Sequence, residues 1–326
     1  MYKNISIEYS IAIRTLGFGG SKYESLLKSI DRQTIKPKDV LIFIPYNYDL
    51  PQERLGYEQF IRCEKGMVKQ RIAAIEYVQT KYILLLDDDV AFPENYVEEL
   101  FVSAQEMNAD VCISQMIDFA SKANKYSHLK KRLWIIKQFL LGKNKFTNID
   151  DGFSQKIWRT GGVIHLQKKT SDKIYFTQTG HGSHCFAKTE TLKAIHLEQE
   201  LWLEDSNYSW PEDQVMFYKL FCYGYVITIT PRSTLTHLDG ARKASRKQAA
   251  SYAEGRNFFI FWHRFIYKRD KQLWGKCLDV LSITWKILAT LIYHLFKGSC
   301  NMYLKGCIDG IKYVLSAKYK TIPVIP

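Results

Sequence analysis

Three consecutive carboxylates, Asp87, Asp88 and Asp89, end an apolar run, Tyr82-Ile83-Leu84-Leu85-Leu86. Adjacent acids repel one another unless a cation or an ordered hydrogen-bond set compensates. A hard divalent ion that keeps several waters and also holds substrate phosphates suits an Asp-x-Asp pair. Along an extended chain, alternation turns Asp87 and Asp89 one way and Asp88 the other. A second acidic pair, Glu212-Asp213, follows Pro211 at a predicted helix start. A partly desolvated carboxylate there is a suitable acceptor for a hydroxyl proton. The third polar site is His237, just beyond a predicted strand and able to ligate a metal. Each has a plainer explanation too: solvated acids at a strand end, carboxylates favoured by a helix dipole, a structural histidine. No Ser-His-Asp or Cys-His signature offers a nucleophile instead.

The elements that must position these groups alternate in type. Residues 9–14 read as a buried strand stopped by Thr15 and the glycines of 17–20. A helix over 23–32, a strand over 40–44 ended by Pro45, and a helix over 66–79 follow. Next come the Asp-bearing strand, a helix over 94–108 opened by Pro93 with Glu94, Glu98 and Glu99 in its first turns, and a strand over 111–116. Strand–helix alternation implies right-handed crossovers and a parallel sheet, with the carboxylates at its carboxyl edge. Gly161-Gly162 and Gly180-His181-Gly182 mark tight turns or close backbone approach. Later, 215–222 reads as helix and 225–230 as a strand halted by Pro231.

With 326 residues, 46% of them apolar and 14% aromatic, the chain can bury a substantial core. Seven scattered cysteines form no Cys-x-x-Cys pair, which indicates neither a zinc site nor a disulfide framework and fits a reducing compartment. The first residues lack the apolar core of a secretion signal.

The net charge of +13 is unevenly placed. From Ala241 onward there are 16 Lys/Arg and 4 Asp/Glu, a balance of +12, which leaves +1 for the first 240 residues. The tail therefore suits an anionic partner. Residues 121–145 carry eight Lys/Arg and no acid, with an apolar stripe from Leu129 to Leu140. Either a basic helix packed on the core or a membrane or acceptor surface accounts for them. Over 271–297, Lys276, Asp279, Lys286 and His294 interrupt what would otherwise be an apolar span. Trp274, Leu278, Leu281, Trp285, Leu288, Ile292 and Leu295 recur at spacings of three and four. That pattern fits a helix in a membrane interface, with a helical hairpin docked on the domain as the alternative.

In order and spacing these sites resemble the inverting glycosyltransferases of family 2. The likeness runs from about Tyr9 to Arg264. It includes Arg14, residues 29–34 with Pro37, Lys69-Gln70-Arg71, Leu86 to Asp89, residues 180–187, Pro211-Glu212-Asp213, His237 and Glu254-Gly255-Arg256-Asn257. It implies a GT-A (Rossmann-like) α/β fold, a mixed sheet flanked by helices, followed by a C-terminal amphipathic helical tail. Residues 1–118 would form the nucleotide-sugar half, 119–264 the acceptor half, and 265–326 a membrane-associated region. By resemblance, Arg14, Thr15, Arg71, Asp87 and Asp88 line the nucleotide pocket, and Asp89 and His237 ligate Mn²⁺ or Mg²⁺. Asp213 matches the general base, and Glu212 would orient the acceptor or the base.

The implied reaction moves a sugar from a nucleotide-diphosphate sugar to a hydroxyl of a glycan or lipid-linked acceptor. The expected location is the cytoplasmic face of an anionic cell membrane, with no nucleic acid bound. One departure concerns the base. Where the family has an acid after the second strand, this chain has Pro45-Tyr46-Asn47-Tyr48, so Asn47 or Asp49 would take that place. UDP is favoured, with dTDP or GDP as alternatives. Two other classes fit less well. A haloacid-dehalogenase-type phosphatase carries Asp-x-Asp on its first strand with a Gly-Thr turn, unlike this chain. A basic nucleic-acid-binding protein would show a zinc finger, RNA motif or helix-turn-helix.

Overall fold

Strands β1 (Tyr9–Arg14), β2 (Asp39–Pro45) and β4 (Tyr82–Asp87) are buried almost throughout, as strands covered on both faces must be. Alternate residues serve two cores. Ile11, Ile13, Ile42 and Leu84 pack with Leu26 and Ile30 of helix α1 (Ser21–Asp31). Ala12, Leu41 and Leu85 pack with Ala74 and Ile75 of helix α2 (Met67–Tyr77). A computed structural model of the protein describes residues 7–118, 152–165, 172–238, 247–296 and 298–326. The basic helix expected over 121–145 lies outside the described residues.

The other strands are β3 (Gln59–Cys63), β5 (Val90–Ala91), β6 (Val111–Asp118), β7 (Phe153–Ile157), β8 (Val163–His165), β9 (Tyr175–Thr177), β10 (His184–Lys188) and β11 (Ile227–His237). All join one sheet in the order β3-β2-β1-β4-β10-β6-β11-β9-β7-β8, with β5 on β11. β3, β2, β1 and β4 run parallel. β10 is antiparallel to both β4 and β6, and β11 is parallel to β6, so the sheet is mixed. This is the α/β architecture expected of a GT-A fold.

Two element boundaries differ from the sequence expectation. Helix α3 (Tyr96–Glu106) begins three residues after Pro93, with Glu98 and Glu99 in its first turn. Its start is fixed from outside: the Gln33 side chain donates to the Pro93 carbonyl at 2.8 Å and accepts from the Val97 N–H at 3.1 Å. Strand β11 does not stop at Pro231. Its register against β6 shifts between Thr230 and Thr234, and the strand then runs on to His237. A bulge interrupts the ladder there, where a proline without an N–H costs little.

The chain's last quarter splits into two behaviours. Helix α6 (Lys247–Trp262) packs closely against α8 (Cys300–Leu315) through glycines. A Cβ on Gly255 would lie 2.3 Å from the Tyr303 carbonyl, and one on Gly306 2.2 Å from that of Tyr252. Val314, Tyr319 and Ile325 join the main core beside Phe261 and Phe265. Arg264 donates to the Pro323 carbonyl at 2.7 Å and pairs with buried Glu200, which also holds Lys219 at 2.7 Å. Residues 300–326 are thus part of the body, and packing does not end at the expected 264/265 boundary. Helix α7 (Leu273–Phe296) behaves differently and keeps its apolar side outward.

Candidate active site

The ends of β1 and β4 face each other in register, with Arg14 opposite Asp87. Arg14 donates through Nε to Asp87 Oδ1 and through Nη2 to Asp87 Oδ2 at 3.2 Å. Burial alone would raise the Asp87 carboxyl, but the Arg14 guanidinium outweighs it and holds Asp87 below the usual carboxylate range. Conversely, Asp87 and Glu212 overcome the burial of Arg14 and push its pKa up.

Extended backbone stops at Asp87, so strand alternation does not carry across the three acids. Each meets a different partner. Asp88 Oδ2 accepts from the Thr15 hydroxyl at 2.5 Å. Burial raises Asp88 to about 6, opposed by that hydrogen bond and reinforced by Asp89 and Asp87. Asp89 stands beside His237, with Nε2 3.3 Å from Oδ2. β5 pairs antiparallel with the end of β11, and the Leu238 N–H bonds the Asp89 carbonyl at 2.8 Å, which fixes that meeting. Asp89 Oδ1 is buried with no hydrogen-bond partner among the described residues. Among those residues no three His, Cys, Asp or Glu side chains gather into a self-sufficient metal cage.

Glu212 and Asp213 open helix α5 (Glu212–Cys222), as the sequence predicts. Glu212 is 6% exposed and lies 2.9 Å from Arg14 Nη2 and 3.0 Å from Arg71 Nη1. Arg71 itself is 3% exposed. Its guanidinium is spent on Glu212, the Gly182 carbonyl at 2.9 Å and the Met216 sulfur at 3.4 Å. Arg71 thus braces Glu212 from inside the protein while lining the same cleft as Arg14, Asp87 and Gly182. Burial and then the Arg14 charge lower its pKa.

Asp213 is only partly buried, and its Oδ1 accepts from the Gln214 N–H at 2.8 Å. Burial first, then repulsion from Glu212, raise its carboxyl to about 6 against the pull of Arg71 and the Gln214 and Gly182 backbones. Gly182 forms the wall beside it: a Cβ there would lie 2.9 Å from Asp213 Cβ. Of the two readings of 180–182, a tight turn or a close backbone approach, Gly182 fits the second. Three further residues support the site. Glu204 caps α2 by accepting the Val68 N–H at 2.6 Å, and Gln70 ties the Thr15 and Phe43 carbonyls at 3.0 Å each. Asn257 donates to the Trp210 carbonyl at 2.9 Å and to Ser206 Oγ at 2.8 Å, holding the loop that enters α5.

The loop after β2 exposes Tyr46, Asn47 and Asp49. It packs on the loop after β1, where Gly17, at φ +77°, leaves no room for a Cβ against the Asp49 carbonyl. Phe18 meets Tyr48 edge-on at 6.3 Å.

Residues 59–159 match Glycosyl transferase family 2, a segment that carries Arg71 and Asp87 to Asp89. No curated protein matches the chain. The fold is similar to that of GalNAc-T7, solved with UDP, GalNAc and Mn²⁺, at 13% identity and a TM-score of 0.50. That likeness covers 91% of this chain, which spans 58% of the GalNAc-T7 structure. A second similar structure is S. aureus TarS residues 1–349, at 10% identity and a TM-score of 0.45 over 94% of this chain and 92% of that one. The matched segment supports an assignment to glycosyltransferase family 2, and the likeness to GalNAc-T7 is one of fold.

Proposed function

We propose that the chain is an inverting glycosyltransferase. It would move a sugar from a nucleotide-diphosphate sugar, with UDP the favoured nucleotide, to a hydroxyl of a glycan or lipid-linked acceptor. A cytoplasmic membrane face is the expected setting. One observation carries the reading: Arg14 joins the acidic end of β4 to the first turn of α5, through Asp87 on one side and Glu212 on the other. A nucleotide-side cluster and a raised carboxylate, Asp213, thereby share one sheet edge.

The residues fit a divalent ion of the kind that keeps substrate oxygens in its shell. Asp89 offers an unpartnered buried oxygen and His237 a ring nitrogen beside it. Asp89 and His237 would hold Mn²⁺ or Mg²⁺, which when bound supplies Lewis-acid charge for a departing diphosphate. Thr15, Asp87 and Asp88 would lie on the nucleotide side. Arg14 keeps Asp87 ionised and Glu212 in place, and Arg71 braces Glu212 from behind. Asp213, ionised above pH 6 and partly screened from water, would take the proton from the attacking hydroxyl. One base and no enzyme nucleophile give a single displacement with inversion.

Melting curves of the protein with UDP, GDP or dTDP, each with and without Mn²⁺, test the nucleotide and ion together. A ligand that binds the native state raises the melting point by mass action. UDP with Mn²⁺ should give the largest rise, and Asp89→Ala or His237→Ala should remove its Mn²⁺-dependent part. Asp213→Asn should keep that rise while turnover falls by roughly two to four orders of magnitude. Wild-type turnover in Asp213→Asn, or no response to any nucleotide, would overturn the proposal.

A further inference from the structure

Helix α7 has its polarity inside out. The side chains it turns into the protein include Asp279, Thr290 and His294. Its outward stripe is Trp274, Leu281, Trp285, Leu288, Ile292 and Leu295, between 49% and 72% exposed. Two of these groups are tied to the rest of the protein: Arg159 Nη1 lies 2.7 Å from Asp279 Oδ1, and His294 bonds Ser299 Oγ at 2.7 Å and Glu254 Oε2 at 3.3 Å. A water-facing helix carries the opposite pattern. Neighbouring α8 adds Leu304, Ile308 and Ile311 to the outward apolar surface. So large an apolar surface marks a contact site.

We propose that this face docks on an anionic lipid bilayer, with α7 lying in the plane of the interface. By length and composition α7 could cross a membrane. Its attachments forbid that arrangement. Gly275 near one end accepts from Arg159, and His294 near the other pairs with Glu254, so one body holds the helix near both ends. Charge decides between lipid and a second copy of this chain. From Ala241 onward the balance is +12, and Lys271, Lys305 and Lys312 are exposed near the stripe. Two such faces repel each other, whereas an anionic headgroup layer attracts one. Two outward tryptophans suit the boundary between headgroups and acyl chains.

The docking helix is also close to the proposed base. A Cβ on Gly162 would stand 3.4 Å from Lys286 Nζ of α7, and the Gly161 carbonyl accepts from the Gln214 side chain at 2.8 Å. Among the described residues, one loop thus links α7 to Gln214, the neighbour of Asp213. The docking proposal does not depend on the chemistry assigned to that carboxylate.

The test uses the full chain with vesicles of phosphatidylcholine alone or mixed equally with phosphatidylglycerol. The protein should co-sediment with the anionic vesicles and much less with the neutral ones. Leu281→Asp/Leu288→Asp should weaken that partitioning by on the order of 100-fold, since two apolar side chains lose their burial. Its melting point and circular dichroism should stay those of the wild type. Wild-type protein that ignores anionic vesicles, or a folded variant that binds as before, overturns the proposal. A solution dimer that the double substitution dissociates would assign the face to a second copy instead. A variant that fails to fold leaves the wild type to decide, by quenching with chain-brominated lipid and by differences against Trp274→Phe and Trp285→Phe. A helix lying flat puts both rings at one depth, whereas a spanning one separates them by about 16 Å.

Discussion

Arg14 and Asp87 occupy facing positions at the ends of two adjacent parallel strands and share two hydrogen bonds. The same guanidinium reaches Glu212 at 2.9 Å, so one cation serves two carboxylates from separate elements. Arg14→Met keeps most of the volume and removes the charge. It should cost about 3 kcal/mol at pH 7, the scale for leaving buried partners unpaired. Asp87 is held below its usual range, so its contribution is present above the unfolded carboxylate pKa and lost as pH falls through the depressed native value. Urea midpoints should therefore differ widely between the two proteins at pH 7, and the gap should narrow as pH falls below the usual carboxylate range. A gap that stays constant with pH would mean that the loss is one of packing.

Asp213 predicts the opposite pH trend. Its carboxyl is raised to about 6, so between the unfolded value and pH 6 the native state binds more protons than the unfolded one. Stability then falls as pH rises through that window. Asp213→Asn lacks the penalty and should melt higher than wild type at pH 7.5, with the advantage gone near pH 3.5. Wild-type kcat/KM should rise with unit slope up to about pH 6 and then level. A raised melting point together with lost turnover separates a strained base from a helix cap, because a cap would lose stability on neutralisation.

How much of this was legible in the sequence follows from how local each cause is. The Asp-bearing strand is a buried run that ends in charge, and Glu212 with Asp213 sits where Pro211 opens a helix; both signals lie within a few residues. The extension of β11 past Pro231 depends on a bulge against β6, and the late start of α3 on Gln33, more than 60 residues earlier in the chain. Neither leaves a local trace. The stripe on α7 was legible as a stripe, but periodicity shows only that a helix has an apolar side. Which way that side faces depends on Arg159 and Glu254, far away in the chain. Arg71 is the clearest case in the site: the family resemblance suggests a place at the nucleotide pocket, but its bracing bonds to Glu212 and Gly182 come from far along the chain and leave no local signal.

Gly182 gives a prediction that replaces no charged residue. A Cβ at that position would stand 2.9 Å from Asp213 Cβ and 3.3 Å from Arg71 Nη2. Gly182→Ala must therefore displace the carboxylate or the guanidinium by a few tenths of an ångström. Positioning errors of about 1 Å cost on the order of 100-fold in rate, so a loss of roughly tenfold in kcat is expected. The UDP and Mn²⁺ melting shift should stay near that of wild type, since Asp89 and His237 are untouched. A matching loss in both readouts would show that the wall supports the nucleotide side as well.

Truncation tests whether the C-terminal segment is a tail or part of the body. Removing everything after Arg269 deletes the whole of α7 and α8 and takes Val314, Tyr319 and Ile325 out of the main core. It also strips the partner that Gly255 was shaped to meet and leaves Arg264 without its Pro323 carbonyl. Losing one large core side chain costs about 2–5 kcal/mol, and a domain's total stability is only about 5–15 kcal/mol. The truncated chain should therefore be insoluble, or molten with a weak near-ultraviolet circular dichroism signal. A milder variant isolates the cause. Gly306→Leu should lower the melting point strongly, because its Cβ alone would fall 2.2 Å from the Tyr252 carbonyl. The exposed change Ile308→Asn, two residues along the same helix, should leave the melting point nearly unchanged. A soluble, cooperatively melting truncation at Arg269 would refute the packing argument and make the last 57 residues a separable unit after all.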